Sequence, residues 1–239
     1  MTENPGVDTQ HPVLTNCRRC PKVRRASVLV LVALTATLVA GCPSIWKKEL
    51  IKKDAPPKEL FQAAQDQFQQ KNYREAIELY ERLKSAQPDF DKIPEAYQRI
   101  ADAFFNLGEY DEAVARYQQF LQLYPNHEDR YRAKYMIGMS YFDRIKGTDR
   151  EDSMVRRAEA EFKQVADDSA AGQWKKKAEE KYRECRKKLA EMELYKAKTY
   201  ISTGQYKSAR IAAQRILDEY AKLGLDKEAS DIIEKVKGK

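Results

Sequence analysis

Histidine and cysteine are scarce in this 239-residue chain, which has two of the first and four of the second. Three of the cysteines, Cys17, Cys20 and Cys42, fall at the beginning; beyond them only His127 and Cys185 remain. One imidazole and one thiol cannot build a transition-metal site or a disulfide framework. A glycine-rich phosphate loop, a nucleophile elbow and an HExxH pair are also missing. Acidic pairs such as Asp167-Asp168 read as solvated helix surface. These absences exclude the familiar enzyme chemistries and imply no cofactor and no metal. Glycine and proline number nine each. Beyond residue 56 they stand only at punctuation points, with alanine, glutamate, lysine, leucine and glutamine between them, and no segment there reads as a strand.

Charge of one sign is not lacking, since 44 basic residues face 37 acidic ones. What is missing is any charge from Ala26 to Trp46. Arg18, Arg19, Lys22, Arg24 and Arg25 precede this run, which passes through Val39-Ala-Gly-Cys42. A basic region, an apolar region and small residues at a cleavage point are the pattern of an export signal. The cysteine at the cut resembles the lipobox of bacterial lipoproteins. Residues 1–41 are therefore expected to be a signal peptide, Cys42 the lipidated first residue, and 42–56 a tether. A retained transmembrane helix is the alternative, because the uncharged run is just long enough to span a bilayer; Gly41 and Pro43 break it near its outer end. Pro43 follows the cysteine where, in the lipoprotein sorting pattern, an aspartate would favour the inner membrane, which argues for the outer one. The single Cys17-Arg-Arg-Cys20 motif supplies half of a zinc site and would be discarded with the signal. A translation start near Val23 would give a signal of ordinary length. Cleavage leaves 198 residues with 39 basic and 35 acidic side chains, a mild balance spread along helix faces and without nucleic-acid preference.

Self-similarity sets the architecture. Phe61, Phe68, Tyr73, Ala76, Tyr80 and Pro88 return as Gln98, Phe105, Tyr110, Ala113, Tyr117 and Pro125, and the same shift of 37 continues to Tyr135 and Phe142. Repeats of this length and composition match the tetratricopeptide pattern, a helix, a turn and a second helix. The fold class expected is all-α, a solenoid of about four such repeats over 57–225 with a capping helix and tail over 226–239. Small residues (Ala64, Ala101, Gly138, Ala197) let paired helices approach while Tyr or Phe fills the gap. Gly108 and Gly204 end first helices through positive φ, and Pro88 and Pro125 stop second helices. The third repeat opens its turn into a polar loop over 146–153. The fourth begins with one long helix over 174–203. Within it Cys185 lies on the apolar stripe Ala178, Tyr182, Cys185, Leu189, Met192, so it reads as a small core residue. Lys175-Lys176-Lys177 and Lys187-Lys188 read as solvated helix faces, and His127, in the turn Pro125-Asn-His-Glu128, as a surface histidine.

First helices of successive repeats line one groove. Phe61, Phe68, Phe105, Tyr135 and Phe142 fall on that face and are the candidate partner-binding residues, since rings supply large contact area at low entropy cost. Packing between neighbouring repeats is the competing reading, and it weighs most on Phe68, Phe105 and Phe142. Three motifs are more specific: Asn72-Tyr-Arg-Glu-Ala-Ile-Glu-Leu-Tyr80; Tyr124-Pro-Asn-His127 followed by Tyr135-Met-x-Gly138-x-Ser-Tyr141; and Leu189-Ala-Glu-x-Glu193-Leu-Tyr195 leading into Gly204-Gln-Tyr206. With these, from about Lys58 onward, the chain resembles the BamD family of outer-membrane β-barrel assembly lipoproteins. The resemblance implies a non-catalytic, lipid-anchored scaffold on the periplasmic face of the outer membrane of a Gram-negative bacterium. It would bind the periplasmic domains of BamA and other assembly lipoproteins, and help receive unfolded outer-membrane proteins. The family has five repeats, so contacts of its last repeat are in question here. A pilotin-like or envelope-coordinating lipoprotein serving a secretin, a pilus or the cell wall is the competing function.

Overall fold

The computed structural model describes residues 55–145 and 152–239. The signal segment, Cys17, Cys20, Cys42, most of the tether and residues 146–151 of the polar loop lie outside the described residues. Within the described residues the chain is helical, with no strand, and Ala55–Lys239 forms one compact unit. Its helices are α1 Pro57–Gln69, α2 Tyr73–Ala86, α3 Ile93–Asn106, α4 Tyr110–Leu123, α5 Arg130–Asp143 and α6 Asp152–Asp167. A 3₁₀ turn at Ser169–Ala171 then leads to α7 Gln173–Ser202, α8 Tyr206–Glu219 and α9 Asp226–Lys235. Each helix packs on the next, giving four helix pairs and a final helix, as the repeat pattern requires. Proline opens α1 and α3, where a missing N–H costs nothing.

The turns explain why the hairpins recur. Gly108 and Gly204 both sit at φ +75°. Behind each, a Schellman pair closes the helix: Glu109 N–H donates to the Phe104 carbonyl at 3.0 Å, and Gln205 N–H to that of Tyr200 at 2.8 Å. In the first repeat Lys71 occupies the equivalent place at φ 63°, and the same bond runs from Asn72 N–H to the Gln67 carbonyl. Backbone geometry is thus conserved between repeats even where the glycine is not.

Cores form by pairing small against large. Ala64, Ala101 and Ala197 are fully enclosed, as are Tyr80, Tyr117 and Phe162, the rings that the second helices of the first three repeats insert. Gly138 shows the tightest fit. A Cβ built there would stand 2.7 Å from the Phe162 ring, and that ring is itself wedged between Tyr135 and Phe142. The long α7 serves two cores. Its Ala178, Cys185 and Leu189 pack with Val155, Ala158 and Phe162 of α6. Further along, Leu194 and Ala197 pack with Ala212, Ala213 and Ile216 of α8, and Ala229 and Ile232 of α9 close that cluster. Cys185 is a buried free thiol, and burial, reinforced by the charges of Glu159 and Glu184, pushes it up to about 12. It is an inert core residue, as its place on the apolar stripe suggests.

The Gly138 contact carries a test. Alanine there gains up to about 1 kcal/mol of helix propensity, but overpacking a closed core costs about 1–3 kcal/mol. Gly138→Ala should therefore lower the thermal midpoint followed by circular dichroism. Removing the obstacle as well, in Gly138→Ala/Phe162→Leu, should recover part of the loss.

Candidate partner-binding face

The first helices α1, α3, α5 and α7 share one face, bridged by long side chains from one repeat to the next. Gln65 donates to Glu95 at 3.4 Å, linking α1 to α3, and the Arg99 guanidinium lies 5.6 Å from the Phe68 ring centre. The strongest bridge joins α3 to α5. Arg132 grips both carboxylate oxygens of Asp102 at 2.8 and 2.7 Å, and its other amino group donates to Gln98 at 3.0 Å. Gln98 donates onward to Asp129 at 3.1 Å, whose own N–H donates to His127 Nδ1 at 3.1 Å. From the opposite side the Tyr117 hydroxyl of α4 donates to Asp102. Burial and the Asp102 charge push that hydroxyl well above its ordinary value, so it stays protonated and remains a donor. Above this network lies a polar cleft of about 300 Å³ between α3 and α5, rimmed by Lys92, Glu95, Arg99 and Glu128.

The five candidate rings do not form one surface. Phe61 is a correction to the expectation: it is 8% exposed, edge-on to Tyr80 at 5.8 Å and to Phe90 at 6.0 Å. Phe90, in the connection from α2 to α3, covers it, so Phe61 belongs to the core. Phe68 and Phe105 are half-buried and equivalent, each edge-on to the tyrosine that opens the second helix of its own repeat (Tyr73 at 5.3 Å, Tyr110 at 5.4 Å). They brace their hairpins and remain partly exposed. Tyr135 and Phe142 do come together, both against Phe162, and Tyr135 also meets Trp174 at 5.2 Å.

Sequence reasoning missed three features. Asp102 was visible as a lone acid inside the apolar run Ile100-Ala-Asp-Ala-Phe104, a signal of a buried pair. Trp174 carried no repeat signature. The third is a pair of large side chains left exposed toward the far end, Tyr195 of α7 and Ile211 of α8, at 52% and 60%. Ile211 borders a shallow cleft of about 550 Å³ with Arg210, Arg215, Asp218 and Ile233. Beside it Glu193, almost fully buried, accepts from Lys196 at 3.0 Å and Arg215 at 3.1 Å. Among the described residues no group of His, Cys, Asp and Glu is arranged to hold a metal ion.

Fold and face together define a tetratricopeptide-like helical array whose exposed features are rings, ion pairs and shallow clefts. Its sequence matches the family model YfiO, described as an outer membrane lipoprotein, over residues 53–236, and the chain belongs to that family. Similar proteins include an outer membrane protein assembly factor BamD from Neisseria meningitidis, 25% identical over 85% of this chain and 79% of that one. Another BamD, from Caulobacter vibrioides, is 23% identical over 86% and 73%. That of Vibrio cholerae is 28% identical over 82% and 83%. Among solved structures, a tetratricopeptide-repeat protein of Thermus thermophilus is similar with a TM-score of 0.35 and 16% identity, covering 74% of this chain and 99% of that one.

The Asp102 network yields a second test. Arg132→Met removes the bidentate partner of a buried carboxylate, leaving it the Tyr117 hydroxyl and the more distant Arg99, and breaking such a pair from one side costs up to about 3–5 kcal/mol. Urea denaturation should show that loss for Arg132→Met. Asp102→Leu/Arg132→Met, which removes both charges, should sit well above the single variant.

Proposed function

We propose that this protein is a non-catalytic scaffold of the outer-membrane β-barrel assembly machinery, anchored by lipid at Cys42 and facing the periplasm. The observation that carries the reading is the family match across 53–236, which spans the whole helical array. The signal pattern ending at Cys42 supports the anchor. In this reading the C-terminal repeats hold the periplasmic domains of BamA. Tyr195, half exposed, is a residue type that carries binding energy at interfaces and is the candidate for such a contact, with Ile211 on the neighbouring helix. The first-helix face of the N-terminal repeats then helps receive unfolded outer-membrane proteins, with the partly exposed Phe68 and Phe105 as ring contacts for aromatic strand segments. Tyr135 and Phe142 extend the same face toward the third repeat.

Pull-down of the tagged full chain from detergent-solubilised membranes should recover a BamA-type barrel protein as the dominant partner. Recovery of a secretin or a wall synthase in its place would overturn the assembly role. For the substrate face, Phe68→Ala/Phe105→Ala should reduce crosslinking to a barrel-derived C-terminal peptide severalfold. Unchanged crosslinking would remove these rings from the site.

A further inference from the structure

The second repeat departs from a packing pattern that its neighbours keep. In the first repeat Phe61 of α1 lies under Phe90 of the α2–α3 connection, ring centres 6.0 Å apart. In the third, Tyr135 of α5 meets Trp174 at the start of α7, 5.2 Å away. The residues 37 beyond Phe61 and Phe90 are Gln98 and His127. The second repeat thus carries an amide and an imidazole where the first carries two rings. There the polar cleft of about 300 Å³ opens between α3 and α5, with both side chains in its wall. The exchange forgoes burial on the order of 150 Å² per ring. Proteins give up such packing mainly at positions that serve a site.

The wall decides what the cleft can hold. Its cations are committed within it. Arg132 grips both oxygens of Asp102, Arg99 lies between Glu95 at 3.4 Å and Asp102 at 3.7 Å, and Lys92 stands 4.0 Å from Glu95. Asp91, Glu128 and Asp129 line the cleft as well. Taken over the whole wall, five carboxylates face three cations. The adjacent Arg130 donates to the Tyr131 hydroxyl and the His127 carbonyl. Low-dielectric walls focus such an excess of one sign. A fitting ligand therefore brings positive charge and hydrogen-bond donors. A guanidinium brings both, with five N–H groups in a planar fork that matches carboxylates.

We infer that the cleft between α3 and α5 is a binding site for an arginine side chain of a partner protein, admitted where Gln98 and His127 replace the ring pair of the first repeat. The inference shares with the proposed assembly role only the first-helix face on which the partner lies. It uses the polar wall of the second repeat, whereas that role uses Phe68 and Phe105, so the two can fail separately.

The probe is an end-blocked alanine peptide with one central arginine, titrated into the nitrogen-15-labelled full chain in neutral detergent and followed by NMR. It should shift the side-chain amide of Gln98 and the backbone amide of Asp129, and the response should weaken as salt rises. The citrulline counterpart, equal in length but uncharged, should leave both amides in place. Asp91→Asn/Glu128→Gln, two changes at the cleft, should weaken binding at least about fivefold, a loss of about 1 kcal/mol. Gln98→Phe/His127→Phe, which rebuilds the ring pair of the first repeat, should abolish the response at Asp129. Asp218→Asn/Glu219→Gln, on α8, should bind as the parent does. An equal response to citrulline, undiminished affinity in Asp91→Asn/Glu128→Gln, an equal loss in the α8 variant, or no response to arginine at low salt would each overturn the inference.

Discussion

Each helix of this array has apolar side chains to bury, and a single helix cannot keep them out of water. The structure rests on one remedy, a small residue on the first helix of a pair facing a large one from the second. Ala64, Ala101, Gly138 and Ala197 let the backbones come close, and Tyr80, Tyr117, Phe162 and Ile216 fill the space created. Because interiors are packed to near crystalline density, the size of each partner is tied to the other. That coupling is why the pattern returns at a fixed interval while surface residues drift. It also makes stability a sum over neighbouring pairs, with α9 closing the last of them through Ala229 and Ile232.

Apolar packing alone would tolerate slippage between pairs, and two buried carboxylates oppose it. Asp102 is served from three directions, by Arg132 of α5, Tyr117 of α4 and Arg99 of its own helix. Glu193 is held by Lys196 of α7 and Arg215 of α8. A buried charge must find its partner or incur a large desolvation cost, so each carboxylate favours the one register in which its partners arrive. The two sit at different seams, Asp102 where the second repeat meets the third, and Glu193 where α7 passes from the α6 core to the α8 core. Neither has an equivalent in the other repeats: the positions 37 before and after Asp102 are Gln65 and Met139.

That uniqueness explains which parts were legible beforehand. The repeat unit, its turns, the long α7 and the burial of Cys185 all follow from residues that recur or from an apolar stripe, signals that one chain carries by itself. The third repeat keeps Gly138 and Phe162, but its longer loop moves Ala158 and Phe162 to 45 residues beyond Ala113 and Tyr117, so the fixed interval no longer finds them. Phe61 was misplaced for a different reason. Its helix face was read correctly, but Phe90, which covers that face, lies in a connection that no periodicity describes. Trp174 and the partner of Asp102 escaped because their meaning lies in contacts between repeats: a lone acid in an apolar run marks a buried pair, but nothing local says that Arg132, 30 residues on, closes it.

The same contacts decide where the array can move. In a nearest-neighbour solenoid, bending concentrates at the seams between pairs. The seam between third and fourth repeats is bridged by a single helix of 30 residues, about 45 Å long, whose two halves belong to two cores. A continuous helix with no glycine or proline inside it resists a hinge there, so α5 to α9 form the stiffer portion. Flexure falls to the seams before α3 and before α5. The first of these is crossed on the groove side by Gln65 and Arg99, and the second is latched by Asp102 and Arg132. The face built across α1, α3 and α5 can adjust, while the side chains carried by α7 and α8 keep a fixed spacing. The array is thereby divided along its length: one end holds geometry, and the other accommodates.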